Sequence, residues 1–318
     1  MGSKAARLMI ELAVGKIVKD SSRGTLPRSL RKLADLTGLL SSPDAQGPDT
    51  LAGQMLRDEQ HPYYAAVEKL LSQTDRRYIN SFFINLGYES VSCGGAFIRK
   101  QHQENGCWIP WLMGLLLPSA PGVLEQSVRR GVLSYLLLSS SASAQELASL
   151  CRAYPTAAFF GAVPDALISE AFLKELEGID NLALMPVVQG LHGASFETLR
   201  ASRRPFFPLF LIREEEIRRI LGADGFASVD DPNLFAAFFL PDSTVSGDMQ
   251  KAFTDYLISA RLSPQGSFVP MDFSCDLLGI EQAIAGNAAV RFSLPDGFDP
   301  APLLMPEAPL QTALELLA

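Results

Sequence analysis

Four cysteines and three histidines are the residues from which metal, redox or nucleophilic chemistry would have to be assembled in this 318-residue chain. Cys93, Cys107, Cys151 and Cys275 stand far apart and form no CxxC pair, so neither a zinc knuckle nor a disulfide framework is signalled. Cys93, His102 and Cys107 come nearest to a ligand set. Their intervals of eight and four residues match no standard spacing, and a fourth ligand is missing. Cys93-Gly94-Gly95 could be a nucleophile on a tight turn, although a small buried thiol beside glycine is the commoner arrangement. With only His61, His102 and His192 present, imidazole acid–base chemistry has few places to occur. Glu214-Glu215-Glu216 falls at a predicted helix start, where it complements the helix dipole rather than forming an acid–base pair. No GxGxxG, Walker A loop or GxSxG elbow occurs, so the phosphate cradle of a nucleotide site and the nucleophile of a serine hydrolase are both lacking. No catalytic, cofactor-binding or metal residue is assigned on these grounds, and no cofactor is expected.

The elements that would position such groups divide the chain into three. Residues 1–106 have helical apolar spacing: Leu8 and Leu12, then Tyr63, Val67, Leu70 and Leu71, then Ile79, Phe82, Phe83 and Leu86. Pro62 marks a helix start there, and Asp75 is placed as an N-cap. Residues 107–258 alternate short apolar runs with amphipathic stretches, the pattern of buried parallel strands and crossover helices. Strands are predicted near Trp111–Leu117, Leu133–Leu138, Ala157–Ala162, Leu182–Val188, Phe206–Ile212 and Phe235–Leu240. Helices are predicted near Ala144–Arg152, Ser169–Leu176, Ser195–Arg200 and Glu214–Leu221. Six βα steps give an α/β fold, a partial (β/α)6 TIM-like barrel preceded by an all-helical N-terminal region. Residues 259–318 read as an irregular, proline-rich C-terminal extension with a short strand at Ala288–Leu294 and a last helix near Leu310–Leu317.

Composition narrows the partners. Hydrophobic residues at 47% against 19% charged describe a chain that buries a core. A net charge of −8 with no dense basic cluster argues against nucleic acid. The most apolar stretch, Trp108–Leu117, is too short to span a bilayer and contains Pro110, so no membrane is expected. Met1–Gly15 is interrupted by Glu11 and reads as a first helix rather than a signal peptide. Cysteine usage points to the cytoplasm.

In a parallel α/β barrel the working residues lie where strands end. Here those positions are chemically quiet: Pro118–Gly122, Ser139–Ser141, Gly161–Asp165 and Gln189–Gly193. Ser139, Ser140, Gln189 and His192 are the neutral hydrogen-bonding groups that could line a pocket there. His192 is the best placed of the three histidines.

Several segments resemble the radical S-adenosylmethionine proteins that carry a helical domain ahead of the barrel. Asn85-Leu86-Gly87-Tyr88, Ile98-Arg99 and Trp108-Ile109-Pro110-Trp111 look like the family's lead-in to its first strand. Asp58 to Tyr64 is similar to its "SPYY" helix start. The likeness continues through Arg130–Tyr135, Ala166–Glu170, Val187–Gly190 and Phe238–Pro241. Where the family carries CxxxCxxC after its first strand, this chain has Pro118–Gly122 and no cysteine between Cys107 and Cys151. The family's GGEP is replaced by Ser140–Ser143, and the Glu ending its fourth strand by Gln189. A single tail thiol, Cys275, cannot hold a cluster. The resemblance therefore implies a non-catalytic, radical-SAM-like pseudoenzyme without an iron–sulfur cluster, acting as the heterodimeric partner subunit of an active radical SAM homologue. The alternative is an enzyme or small-ligand binder that uses the vacated barrel pocket.

Overall fold

The computed structural model describes residues 4–20, 26–37, 58–106, 109–117, 121–138, 143–223, 225–229, 231, 234–262, 268–286 and 291–293. Ahead of the sheet lie α1 (Lys4–Asp20), α2 (Leu26–Thr37), α3 (Tyr63–Gln73), the single turn α4 (Arg76–Tyr78) and α5 (Gly95–Asn105). Asp75 caps α4 by accepting from the Arg77 amide, as its sequence position implies. Helix α1 buries Ile10 against Ile84 and Tyr88, and Ile17 against Leu26 and Tyr64. Leu8, Met9 and Leu12 on its other side are 57%, 55% and 67% exposed.

Between α4 and α5 the chain runs as π-helix over Ile79–Phe83 and Asn85–Gly94, where the sequence predicts ordinary helical spacing. Such i→i+5 runs are rare, and here buried polar contacts accompany the wide turn. Asn85 donates through Nδ2 to the carbonyls of Pro155 (2.8 Å) and Ala157 (3.0 Å). The Ser90 hydroxyl meets that of Ser134 at 2.5 Å. At Gly94 a Cβ would stand 2.9 Å from the Gly131 carbonyl oxygen, so glycine is required for this approach. The run thus crosses beneath the N-terminal ends of the second and third strands.

The sheet comprises β1 (Leu112–Leu116), β2 (Ser134–Leu138), β3 (Ala158–Pro164), β4 (Leu182–Gln189), β5 (Leu209–Ile212), β6 (Ala236–Pro241), β7 (Val269–Asp272) and β8 (Arg291–Ser293). Its order is β7-β6-β5-β4-β3-β2-β1-β8, with every pairing parallel. Crossover helices are α6 (Pro121–Arg129), α7 (Ala144–Ala153), α8 (Glu170–Glu175), α9 (Phe196–Ala201), α10 (Glu214–Leu221) and α11 (Gly247–Leu262); α12 (Phe273–Ala285) follows β7 directly. The class is α/β with a curled parallel sheet. Among the described residues the sheet has eight strands, where the sequence predicts six in the barrel and one more in the C-terminal extension.

The difference lies in the stretch predicted to be irregular. Residues beyond 258 supply β7 and α12, and β8 sits within the predicted 288–294 strand, beside β1. Pro270 falls inside β7, a position that argues against a strand in sequence but is tolerated at a sheet edge. The predicted helix near Leu310–Leu317 lies outside the described residues.

Alternation along the strands creates two unlike faces. Outward, Tyr135 bonds Ser127 of α6, and Phe210 and Phe239 meet Phe196 of α9 and Phe253 of α11. Inward, Leu136, Leu138, Phe160, Met185, Val187, Leu209, Leu211, Phe238 and Leu240 line the sheet by register. Phe82 from the π-helical run packs edge-on to Phe160 at 5.2 Å. Phe273 of α12 does the same to Phe238 at 5.8 Å. The inner face is therefore covered by protein side chains from both ends of the sequence. Among the described residues no helix is long and apolar enough to cross a membrane.

Candidate functional site

Of the four polar groups expected at the strand ends, Ser139 and Ser140 lie outside the described residues. Gln189 is the last residue of β4, in register with Leu211, and it is exposed. Gly190 follows with φ of 79°, a left-handed value that glycine adopts without strain. Its amide donates to the Leu211 carbonyl at 3.0 Å, which fixes where the strand ends. His192, two residues further, is exposed.

The loop that carries His192 is held from the neighbouring strand. Asp165, just past β3, accepts from the amides of Ala194 (2.7 Å) and Ser195 (3.1 Å) and from the Ser195 hydroxyl (2.5 Å). Three donors meet this carboxylate, which makes it an anchor for the β4–α9 loop. Gln189 ends the strand and His192 lies in the loop whose far side Asp165 holds.

Further strand ends carry groups that sequence reasoning did not single out. Asp272, which is buried and ends β7, accepts from the Thr254 hydroxyl (2.5 Å) and from the Cys275 amide (2.8 Å). Asp276 accepts from the Asp272 amide at 2.6 Å and is bonded by Arg261. Desolvation pushes the Cys275 thiol up to about 11, with the neighbouring Asp272 adding to the shift. Burial likewise raises Cys93, which is hydrogen-bonded to Tyr88, and raises Cys151. Burial thus disfavours the thiolate, the form that nucleophilic attack needs, at all three.

No family profile matches this chain. No curated protein and no solved structure matches it either. The likeness to radical SAM proteins accordingly stands on the sequence segments alone.

Cys93 is the last residue but one of the π-helical run and His102 sits on α5, while Cys107 is outside the described residues. No group of three or more His, Cys, Asp or Glu side chains able to hold a metal ion is found among the described residues. A groove of about 370 Å³ does exist, lined by Arg77, Tyr78, Lys174, Glu177, Ser202 and Arg204 among others. Glu177, Ser202 and Arg204 precede β4 and β5, so the groove opens toward the N-terminal strand ends and not toward Gln189 and His192.

The least expected group is Glu281, on α12. It is fully buried and accepts from the amides of Trp111 (2.7 Å) and Leu112 (3.1 Å) at the start of β1. Burial drives its carboxyl up from 4.5 to about 8, against the opposing pull of those two N–H groups. The sequence did hold a signal: Leu277, Glu281 and Ile284 share one helical face, so the glutamate interrupts an apolar stripe.

Proposed function

We propose that the chain is a non-catalytic subunit on a radical-SAM-like scaffold, an opened TIM-like barrel, and that it works by binding an active radical SAM homologue. The observation that carries this reading is the filled inner face of the sheet. Phe82, Phe160, Phe238 and Phe273 fill the interior of the sheet with apolar rings. The strand-end residues in register on that face are hydrocarbon apart from Gln189, so charge developing in a reaction would meet little to stabilise it. Neutral thiols at Cys93, Cys151 and Cys275 agree with this reading. The exposed Leu8, Met9 and Leu12 of α1 give a protein partner an apolar strip to cover.

Co-expression with an intact radical SAM homologue, followed by size-exclusion chromatography with light scattering, tests the proposal. The expected result is a stable 1:1 complex that Leu8→Glu/Leu12→Glu weakens at least tenfold. Separate elution beside a fully active enzyme overturns it. So does a stoichiometric brown cluster after anaerobic reconstitution of this chain with iron and sulfide.

The small-ligand alternative draws on one observation, that Gln189 at the end of β4 and His192 in the loop anchored by Asp165 are both exposed. Micromolar S-adenosylmethionine binding abolished by Gln189→Ala would favour it.

A further inference from the structure

Among the described residues the sheet is open on one side. β7 pairs with β6 and β8 pairs with β1, whereas a closed eight-stranded barrel would also join β7 to β8. Helix α12 lies along this opening. It starts at Asp272, at the C-terminal end of β7, where Phe273 packs on Phe238. Leu277 then joins the main core. One turn on, the Glu281 carboxyl takes the Trp111 and Leu112 amides at the N-terminal end of β1. Near its end, the Ile284 carbonyl accepts from Arg99 of α5 at 2.5 Å. A Cβ on Gly95 would stand 2.7 Å from Ile284, so α5 and α12 touch closely there.

We propose that α12 is a proton-gated plug, latched at Glu281, whose release uncovers the apolar inner face of the sheet. This goes beyond the partner-subunit reading and does not depend on it.

The electrostatics of the latch are unusually simple. β1 and β6 contribute no titratable side chain to α12's surroundings. β7 contributes Asp272, which is satisfied by Thr254 and the Cys275 amide. On α12 itself Asp276 is paired with Arg261 of α11, and Cys275 is neutral. α5 contributes Arg99, whose guanidinium is on the Ile284 carbonyl, together with Lys100, His102 and Glu104; Lys100 and Glu104 pair with each other. Arg291 holds a register position on β8 opposite Met113. Among the described side chains, none of these groups is hydrogen-bonded or ion-paired to Glu281. Once ionised in place, the carboxylate has two backbone dipoles and no cation among the described side chains, and a buried charge in that position favours moving to water.

The sign follows from linkage. The closed form keeps its proton up to about pH 8, whereas a solvent-exposed glutamate loses it near 4.5. Between those values the open form binds fewer protons, so opening becomes easier as pH rises, by about tenfold per pH unit, and levels off above about pH 8.

Hydrogen exchange of the full chain, corrected for intrinsic rates, tests this on residues 273–285. The expected result is that α12 amides lose protection by about tenfold per unit between about pH 6 and pH 8, while β3 and β4 do not. Binding of a fluorescent apolar dye should rise over the same range. Glu281→Gln, which mimics the protonated side chain, should make both readouts independent of pH. Should that variant not fold, the wild-type infrared spectrum serves in its place. A protonated buried carboxyl band that disappears near pH 8 together with α12 protection supports the latch. Protection of α12 that is flat with pH, or that falls equally in Glu281→Gln, overturns it.

Discussion

The two ends of the sheet are built differently. At the N-terminal strand ends, buried polar side chains converge on backbone carbonyls and amides. Asn85 and Asn181 both donate to the Ala157 carbonyl, and Asn181 also reaches those of Cys151 and Tyr154. Arg204, 3% exposed, donates to the carbonyls of Leu176, Ile179 and Leu182, and its guanidinium lies 4.6 Å from the centre of the Tyr78 ring. Glu281 does the converse by accepting two amides. At the C-terminal ends, Asp165 fixes one loop and Asp272 caps one helix, while Gln189 and His192 face solvent. In parallel α/β proteins the first end carries stability and the second carries function. This chain concentrates its polar precision in the end that holds the scaffold together.

Substitutions at the two ends should therefore separate by size of effect. Arg204→Met leaves three buried carbonyls without their donor and should lower stability by about 3 kcal/mol or more. A urea titration reads this as a shift of midpoint at constant slope, and a loss below about 1 kcal/mol would break the contrast. Asn85→Ala should cost about 2 kcal/mol. Combined with Asn181→Ala it should cost a different amount from the sum of the two, because both amides share the Ala157 oxygen. Asp165→Ala should lower stability by about 1 kcal/mol. Its clearer signature is faster hydrogen exchange at residues 193–195 with β3 and β4 unchanged. Smallest of all, Gln189→Ala and His192→Ala should leave the urea midpoint where it is. A drop at either position comparable to that of Asn85→Ala would show that the C-terminal end is also holding the scaffold.

The sequence reveals most where a segment's pattern depends on itself alone. The buried strands Leu182–Gln189 and Ser134–Leu138 are continuous apolar runs, and α10 matches its predicted bounds at Glu214–Leu221 because three glutamates open it. Asp75 announces its cap. What stays hidden depends on partners far along the chain. Met249, Phe253, Leu257 and Ala260 do have helical spacing, yet Pro264 ahead of the next short strand and Pro270 within it make the whole stretch look irregular. The π-helical run is equally hidden, since it is accompanied by contacts to Pro155, Ala157 and Ser134 rather than by propensity. At the candidate site, sequence position located Gln189 and His192 at a strand end. It did not foresee Asp165 as their anchor, because that bond joins two loops 29 to 30 positions apart.

The order of the strands also dictates what the ribosome exposes. Strands β2 to β7 each dock on the edge made just before them, so the sheet can grow as the chain emerges. β1 is different, since its outer edge must wait for β8, and Glu281 reaches Trp111 across 170 positions. Until those residues are synthesised, the nascent chain offers an unpaired edge beside an uncovered apolar surface, the combination that templates aggregation. A chain stopped after residue 262 would remain in that state permanently, and it should need a chaperone to stay in solution.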